Sequence, residues 1–155
     1  MTWRGPVEII PAGYGQIDEL TDMIRADAAE GSYAHLTFDP ATVRESLTDY
    51  IDDEHRTLLS AVDGQSTIGF IAGHMEKSLI GPDLIAGEVA FYVRPEKRGG
   101  RTATLLIREF CRWAVRNGAR RIVFGNAAGM NDRAYTRLFK RYGFKQMGSI
   151  MVMEV

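Results

Sequence analysis

At 155 residues, with 45% hydrophobic and 25% charged side chains, the chain has the composition and the length of one folded globular domain, expected over residues 1–155. A chain of this size buries roughly 68–70% of its unfolded surface and needs no disulfide or structural metal, which agrees with a single cysteine, Cys111. No window approaches the run of about 18 apolar residues that spans a membrane, and Met1-Thr2-Trp3-Arg4-Gly5-Pro6 lacks the apolar stretch of a secretory signal, so a soluble cytoplasmic protein is expected. The net charge of −1 hides a division: residues 1–93 carry 5 Lys and Arg against 16 Asp and Glu, and residues 94–145 carry 14 against 3. A basic C-terminal half suits a ligand with several phosphates, although solvated helix faces give the same count.

Val7 to Ile10 alternates before Pro11 and reads as a first strand. Ile17, Leu20, Ile24 and Ala28 recur at helical spacing, giving a first helix that Gly31 can end. Asp39-Pro40 reads as an N-cap followed by proline at the first helical position, and it starts a second helix with Val43, Leu47 and Tyr50 or Ile51 on one face. Leu58 to Val62 and Ile68 to Met75 flank Asp63-Gly64, a hairpin signal, and Glu88 to Val93 is the next strand. An Arg/Gly turn leads into a helix over Ala103 to Asn117, with Leu106, Phe110 and Ala114 inward and Arg108, Arg112 and Arg116 opposite. Cys111 in this apolar pattern reads as a small buried thiol, since a reactive thiolate needs an exposed, electropositive niche. Gly118 closes the helix, and Arg121 to Asn126 forms a strand parallel to 88–93. A helix from about Asn131 to Arg141 ends near Gly143, and Phe144 to Val155 is expected to supply the last strand. The order β-α-α-β-β-β-α-β-α-β makes one α/β layer structure.

The segment Val93-Arg94-Pro95-Glu96-Lys97-Arg98-Gly99-Gly100-Arg101-Thr102-Ala103-Thr104 is a strand end, a glycine turn and a helix start. Amides at such a start are unpaired and sit at the positive end of the helix dipole, so they can hold a pyrophosphate. The spacing is neither that of a P-loop nor that of a dinucleotide fold. Val93-x-Pro95-x-x-Arg98-Gly99, with Ala103 closing the pattern, resembles the coenzyme A loop of the GNAT acetyltransferases, in a phage-type Arg-Gly-Gly-Arg-x-Ala form. Asn131-x-x-Ala134 through Tyr142-Gly143-Phe144 is similar to the family's second motif, in the right order and at the right distance.

The resemblance implies a central mixed, mostly antiparallel sheet flanked by about four helices, with a splayed parallel strand pair. It implies acetyl-coenzyme A as acyl donor, a primary amine as acceptor and direct attack in a ternary complex. Main-chain groups of Tyr92, Val93 and Arg94 are expected to hold pantetheine, and Arg98, Gly99, Gly100, Arg101, Thr102, Ala103 and Thr104 the pyrophosphate, with Asn126 and Asn131 completing the coenzyme site. Arg101 stands at the usual first-glycine position: a positive φ there would strain it, and otherwise its side chain can reach a phosphate.

One departure bears on mechanism. Phe139 stands where the family often has the tyrosine that protonates the departing thiolate. Asn131, Tyr135 and Phe139 share a helix face, so Tyr135 is the candidate acid from one turn earlier, with an ordinary packing tyrosine as its alternative. Glu88 opens the strand leading to the coenzyme and is the candidate base, or else a solvated strand-end acid. Tyr92 faces either the cleft or the core. Tyr33, His35 and Phe38, in the link between the first two helices, are the candidate acceptor wall. His55 and His74 lack clustering at ligand spacing, so no metal is expected.

The runner-up reading is a non-catalytic acyl-coenzyme A-binding or nucleic-acid-associated protein on the same fold, motivated by Phe139 and the basic segment. Ile150-Met151-Val152-Met153 is apolar on both sides, and the tail is expected to be covered by a second subunit of a two-fold dimer or inserted in its own sheet.

Overall fold

The computed structural model describes residues 5–125 and 131–155. Its elements in chain order are β1 (Glu8–Pro11), α1 (Ile17–Glu30), α2 (Pro40–Asp52), β2 (Arg56–Asp63), β3 (Ser66–Lys77), β4 (Leu84–Val93), α3 (Thr102–Arg116), β5 (Ala119–Val123) and α4 (Asp132–Arg141). The strands form a sheet ordered β1-β2-β3-β4-β5, antiparallel except for the parallel β4–β5 pair.

The local signals explain most boundaries. The Asp39 carboxylate accepts from the Thr42 amide at 3.0 Å, the N-cap expected before Pro40. Gly64 takes φ +66° in the two-residue β2–β3 turn, and Gly118 takes +88° after α3, where a side chain would be strained. Gly31 ends α1 in extended conformation, φ −112°, not by a left-handed cap. Pro11 is tolerated because β1 is an edge strand.

Two apolar layers cover the sheet. On one face α3 buries Leu106, Phe110 and Ala114 completely, against Leu59, Ile71, Ala86 and Val93. On the other, α1 and α2 bury Leu20, Met23 and Leu47 against Leu58, Phe70 and Tyr92. Each large side chain so buried contributes about 1.5–3 kcal/mol. Cys111 is half-buried, and burial raises its thiol pKa.

The strand expected over Phe144 to Val155 does not form. Phe144 is anchored by the rings of Phe124 and Phe139, at 5.4 and 5.2 Å, and the chain then runs on outside any strand with Met147, Ile150, Met151, Val152, Met153 and Val155 exposed. A stretch apolar on both sides carries no alternation to fix which face turns inward or which register it takes.

Candidate active site

The site begins at a fork. β4 begins at Leu84 rather than at Glu88, and it pairs with β3 as far as Val93. On its other edge it pairs with β5 only from Leu84 to Gly87. From Glu88 onward that edge has no strand partner among the described residues. A register shift between the Ala72↔Ala90 and Gly73↔Glu88 pairs places one extra residue in β4 at the same level. The strand's alternation changes phase there: Ala86 faces α3, whereas Ala90 and Tyr92 face α1 and α2.

At the far end of β4 the Arg94 amide donates to the Ile68 carbonyl at 2.9 Å. Alternation then turns the main-chain groups of Tyr92 toward β3 and those of Phe91 and Val93 toward the other edge. The Val93 carbonyl already accepts from Arg98 Nε at 2.8 Å. The turn that follows leads into α3, whose N-cap residue, Arg101, makes no side-chain cap. The first intrahelical bond is Leu105 N–H to Arg101 O at 2.9 Å, leaving the amides of Thr102, Ala103 and Thr104 as the unpaired helix start. Gly99 supplies the positive φ, +81°, and Arg101 lies in ordinary right-handed space at φ −87°, unstrained. A Cβ built on Gly99 would meet nothing within 4 Å, and one on Gly100 only the Lys97 carbonyl at 3.7 Å, so the turn faces open space where a polyanion can approach the backbone.

The basic side chains of this turn are mostly paired. Lys97 bonds Asp63 at 2.9 Å, Arg94 lies 3.6 Å from Glu19, and Arg98 bonds Glu30 at 2.8 Å. Arg101 is exposed and has no ion pair among the described residues.

Glu88 sits at the fork, half-buried, and its carboxylate accepts from the Gly125 amide beyond β5. Burial, opposed by that hydrogen bond and reinforced by Asp27 of α1, raises its pKa from 4.5 to about 7. Asp27 is itself raised to about 6, chiefly by burial and by Glu30, against the pull of Arg98. Tyr135 comes from α4, and its hydroxyl is buried with no hydrogen-bond partner among the described residues. Burial first, then the charges of Glu88 and Asp132, hold this phenol well above its ordinary value, so it stays protonated. The structure therefore brings Glu88 and Tyr135 together within electrostatic reach of one another.

Phe139, the departure from the family pattern, is buried at the centre of a ring cluster. It stacks on Tyr135 and on Phe124 at 4.5 Å each. The ring packs against Tyr135 and the neighbouring phenylalanines. Asn131 N-caps α4, accepting from the Ala134 amide at 3.3 Å. Asn126 lies outside the described residues.

The Tyr92 hydroxyl points to α1, donating to Glu30 at 2.8 Å, and burial with that bond raises its pKa to about 12. The candidate acceptor wall is exposed at Tyr33 and His35; His35 Nε2 lies 2.6 Å from Glu154 of the tail, and Arg25 covers the Phe38 ring at 5.0 Å. Two surface depressions, of about 410 and 220 Å³, share His55 and Met75 and touch none of these residues. Sequence reasoning missed Asp27, Glu30 and the Gly125 amide. The available signal was Glu30, a carboxylate at the last position of α1, where the helix dipole disfavours it.

No curated protein matches the chain. The fold is similar to that of a transcriptional regulator from Bacillus halodurans C-125, with TM-score 0.81, 17% identity, and 97% of this chain and 100% of that one covered. It is also similar to AAC(6')-Iy in complex with the bisubstrate analogue CoA-S-monomethyl-acetylneamine, with TM-score 0.78, 12% identity and coverage of 97% and 99%. A ribosomal-protein-alanine N-acetyltransferase from Brucella melitensis biovar Abortus 2308 matches with TM-score 0.75, 16% identity and coverage of 97% and 100%. The model of the Acetyltransferase (GNAT) family matches residues 18–144, which include the fork, the glycine turn and α4, and the chain belongs to that family.

Proposed function

We propose that residues 1–155 form one cytoplasmic transferase domain that moves an acetyl group from acetyl-coenzyme A to a primary amine by direct attack in a ternary complex. The observation that carries this reading is the fork: a strand edge from Glu88 to Val93 that has no strand partner among the described residues ends at an uncapped helix start across a turn that faces open space. The donor supplies a thioester, activated toward amines. This strand edge offers the Phe91 main-chain groups and the Val93 amide to an extended chain such as pantetheine, and Gly99 to Thr104 offer amides to the pyrophosphate.

In this reading Glu88 takes the proton from the acceptor's ammonium, directly or through one water, and its pKa of about 7, near neutrality, supports that role. Tyr135, protonated and with no hydrogen-bond partner among the described residues, is the donor available to the departing thiolate. Tyr33, His35 and Phe38 border the acceptor's approach. Nucleic acid is the less favoured partner, and at the turn itself Arg94, Lys97 and Arg98 are held by carboxylates and so are not free for a phosphate backbone. The exposed apolar tail supports a two-fold dimer; a monomeric intact chain in light scattering would remove it.

The test is incubation with acetyl-coenzyme A and a panel of primary amines, followed by thiol release and product mass. Amine-dependent thiol release with a matching acetylated product is expected. Tight coenzyme binding without transfer to any amine would favour the non-catalytic alternative.

A further inference from the structure

The last residue of α1 reaches both halves of the proposed site. Glu30 Oε1 accepts from the Tyr92 hydroxyl at 2.8 Å, and Oε2 pairs with Arg98 Nη2 at 2.8 Å. The same guanidinium donates through Nε to the Val93 carbonyl at 2.8 Å and lies 5.2 Å over the Tyr92 ring. The end of α1, the end of β4 and the glycine turn thus close a ring of four contacts. The turn's other ion pairs do something different: Lys97–Asp63 ties it to the β2–β3 hairpin and Arg94–Glu19 to the first turn of α1. Gly31, the next residue after Glu30, begins the loop that carries Tyr33, His35 and Phe38.

We propose that Glu30 is a positioning residue that fixes Arg98 and Tyr92, so that the coenzyme turn and the acceptor wall move as one unit and the two substrates bind with coupled affinity. The inference rests on the coenzyme reading of the turn. Arg98 acts in it as a strut between Val93 and Glu30, with two of its donor groups engaged before any phosphate arrives. Charge alone makes the opposite prediction. Removing a carboxylate beside a polyanion site should strengthen anion binding, and freeing Arg98 should strengthen it further. The strut predicts a loss, because a released Arg98 and an untethered turn must be ordered again on binding.

The experiment is a double-mutant cycle of Glu30→Gln and Arg98→Gln, with Glu30→Asp and Tyr92→Phe alongside. Coenzyme A affinity is read by titration calorimetry, and KM for the amine and kcat by thiol release. Glu30→Gln is expected to weaken coenzyme A about tenfold and raise the amine KM several-fold, with kcat within about threefold. The double variant should bind no more weakly than Arg98→Gln alone, and Glu30→Asp, which keeps the charge one methylene short, should fall between Glu30→Gln and the native chain. Thermal melts identify any variant that fails to fold, and Glu30→Asp then carries the comparison. Unchanged or tighter coenzyme A binding in folded Glu30→Gln, or additive effects in the cycle, would overturn the proposal while leaving the coenzyme reading intact. A native chain that binds no coenzyme A would overturn both.

Discussion

The two ends of the fork handle charge in opposite ways. At the glycine turn, three of four basic side chains are neutralised by carboxylates from the acidic N-terminal half, and what faces outward is backbone amide and Arg101. At the other end, Glu88 and Asp27 have no ion pair among the described residues and are forced toward protonation by burial. At this turn, then, the basic side chains of one half of the sequence are not free but meet carboxylates of the other. These pairs are struts that hold the turn; in the proposed reading anion recognition falls to fixed amides, which need no reorganisation, and proton transfer to carboxylates whose pKa desolvation can tune.

The largest effect expected from breaking this arrangement is at the acid end. Glu88→Gln should lower turnover by about 10²–10³-fold near neutrality and remove the limb of the pH–rate profile that rises through about 7. The difference should shrink at alkaline pH, where the amine is already neutral. Stability should move the other way. The folded-state pKa lies above the unfolded value of 4.5, so Glu88's contribution is present below about 4.5 and lost as pH rises through about 7. Glu88→Gln should therefore stabilise the fold at about pH 8, by on the order of 1–3 kcal/mol relative to its effect at about pH 4, in denaturant titrations at both.

Tyr135→Phe is expected to lower turnover by about 10–100-fold with coenzyme affinity unchanged. Because its hydroxyl is buried without a described partner, the same change should leave stability equal or raise it by about 0.5–1 kcal/mol. A thermal melt and single-turnover kinetics separate these. Lower stability with full turnover would make Tyr135 a packing residue alone.

The ease of reading the two ends from sequence differs for a physical reason. The turn is local: Val93, Pro95, Arg98, Gly99 and the start of α3 lie within a dozen or so residues, and helix-start chemistry follows from adjacency. The N-cap at Asp39, the hairpin at Gly64 and the inward stripe of α3 were legible for the same reason. The acid end is assembled from α1, β4, the Gly125 amide and α4. Asp27 and Glu30 look like any solvated helix acids until the sheet brings β4 beside them. The tail failed as a strand because nothing in its own alternation says which edge it should join.

The smallest effect is expected at Arg101. Replacing it with glutamine should weaken coenzyme A only a few-fold and flatten the salt dependence of binding, since Arg101 is exposed and screened. A loss as large as that of a backbone change would mean that side-chain charge, not the amide cradle, holds the phosphates.

The most direct measurement uses Gly100, whose φ is ordinary and whose Cβ would touch only the Lys97 carbonyl at 3.7 Å, so substitution there adds charge without backbone strain. Coenzyme A is titrated calorimetrically into the native chain, Gly100→Asn and Gly100→Asp, each verified as folded by its melt. One carboxylate about 4 Å from a phosphate costs about 4 kcal/mol near a protein surface, which in full would be close to 10³-fold. Gly100→Asn should bind within about tenfold of the native chain and Gly100→Asp at least about 100-fold more weakly. Equal affinity in folded Gly100→Asp and the native chain would contradict the placement of the pyrophosphate at this turn.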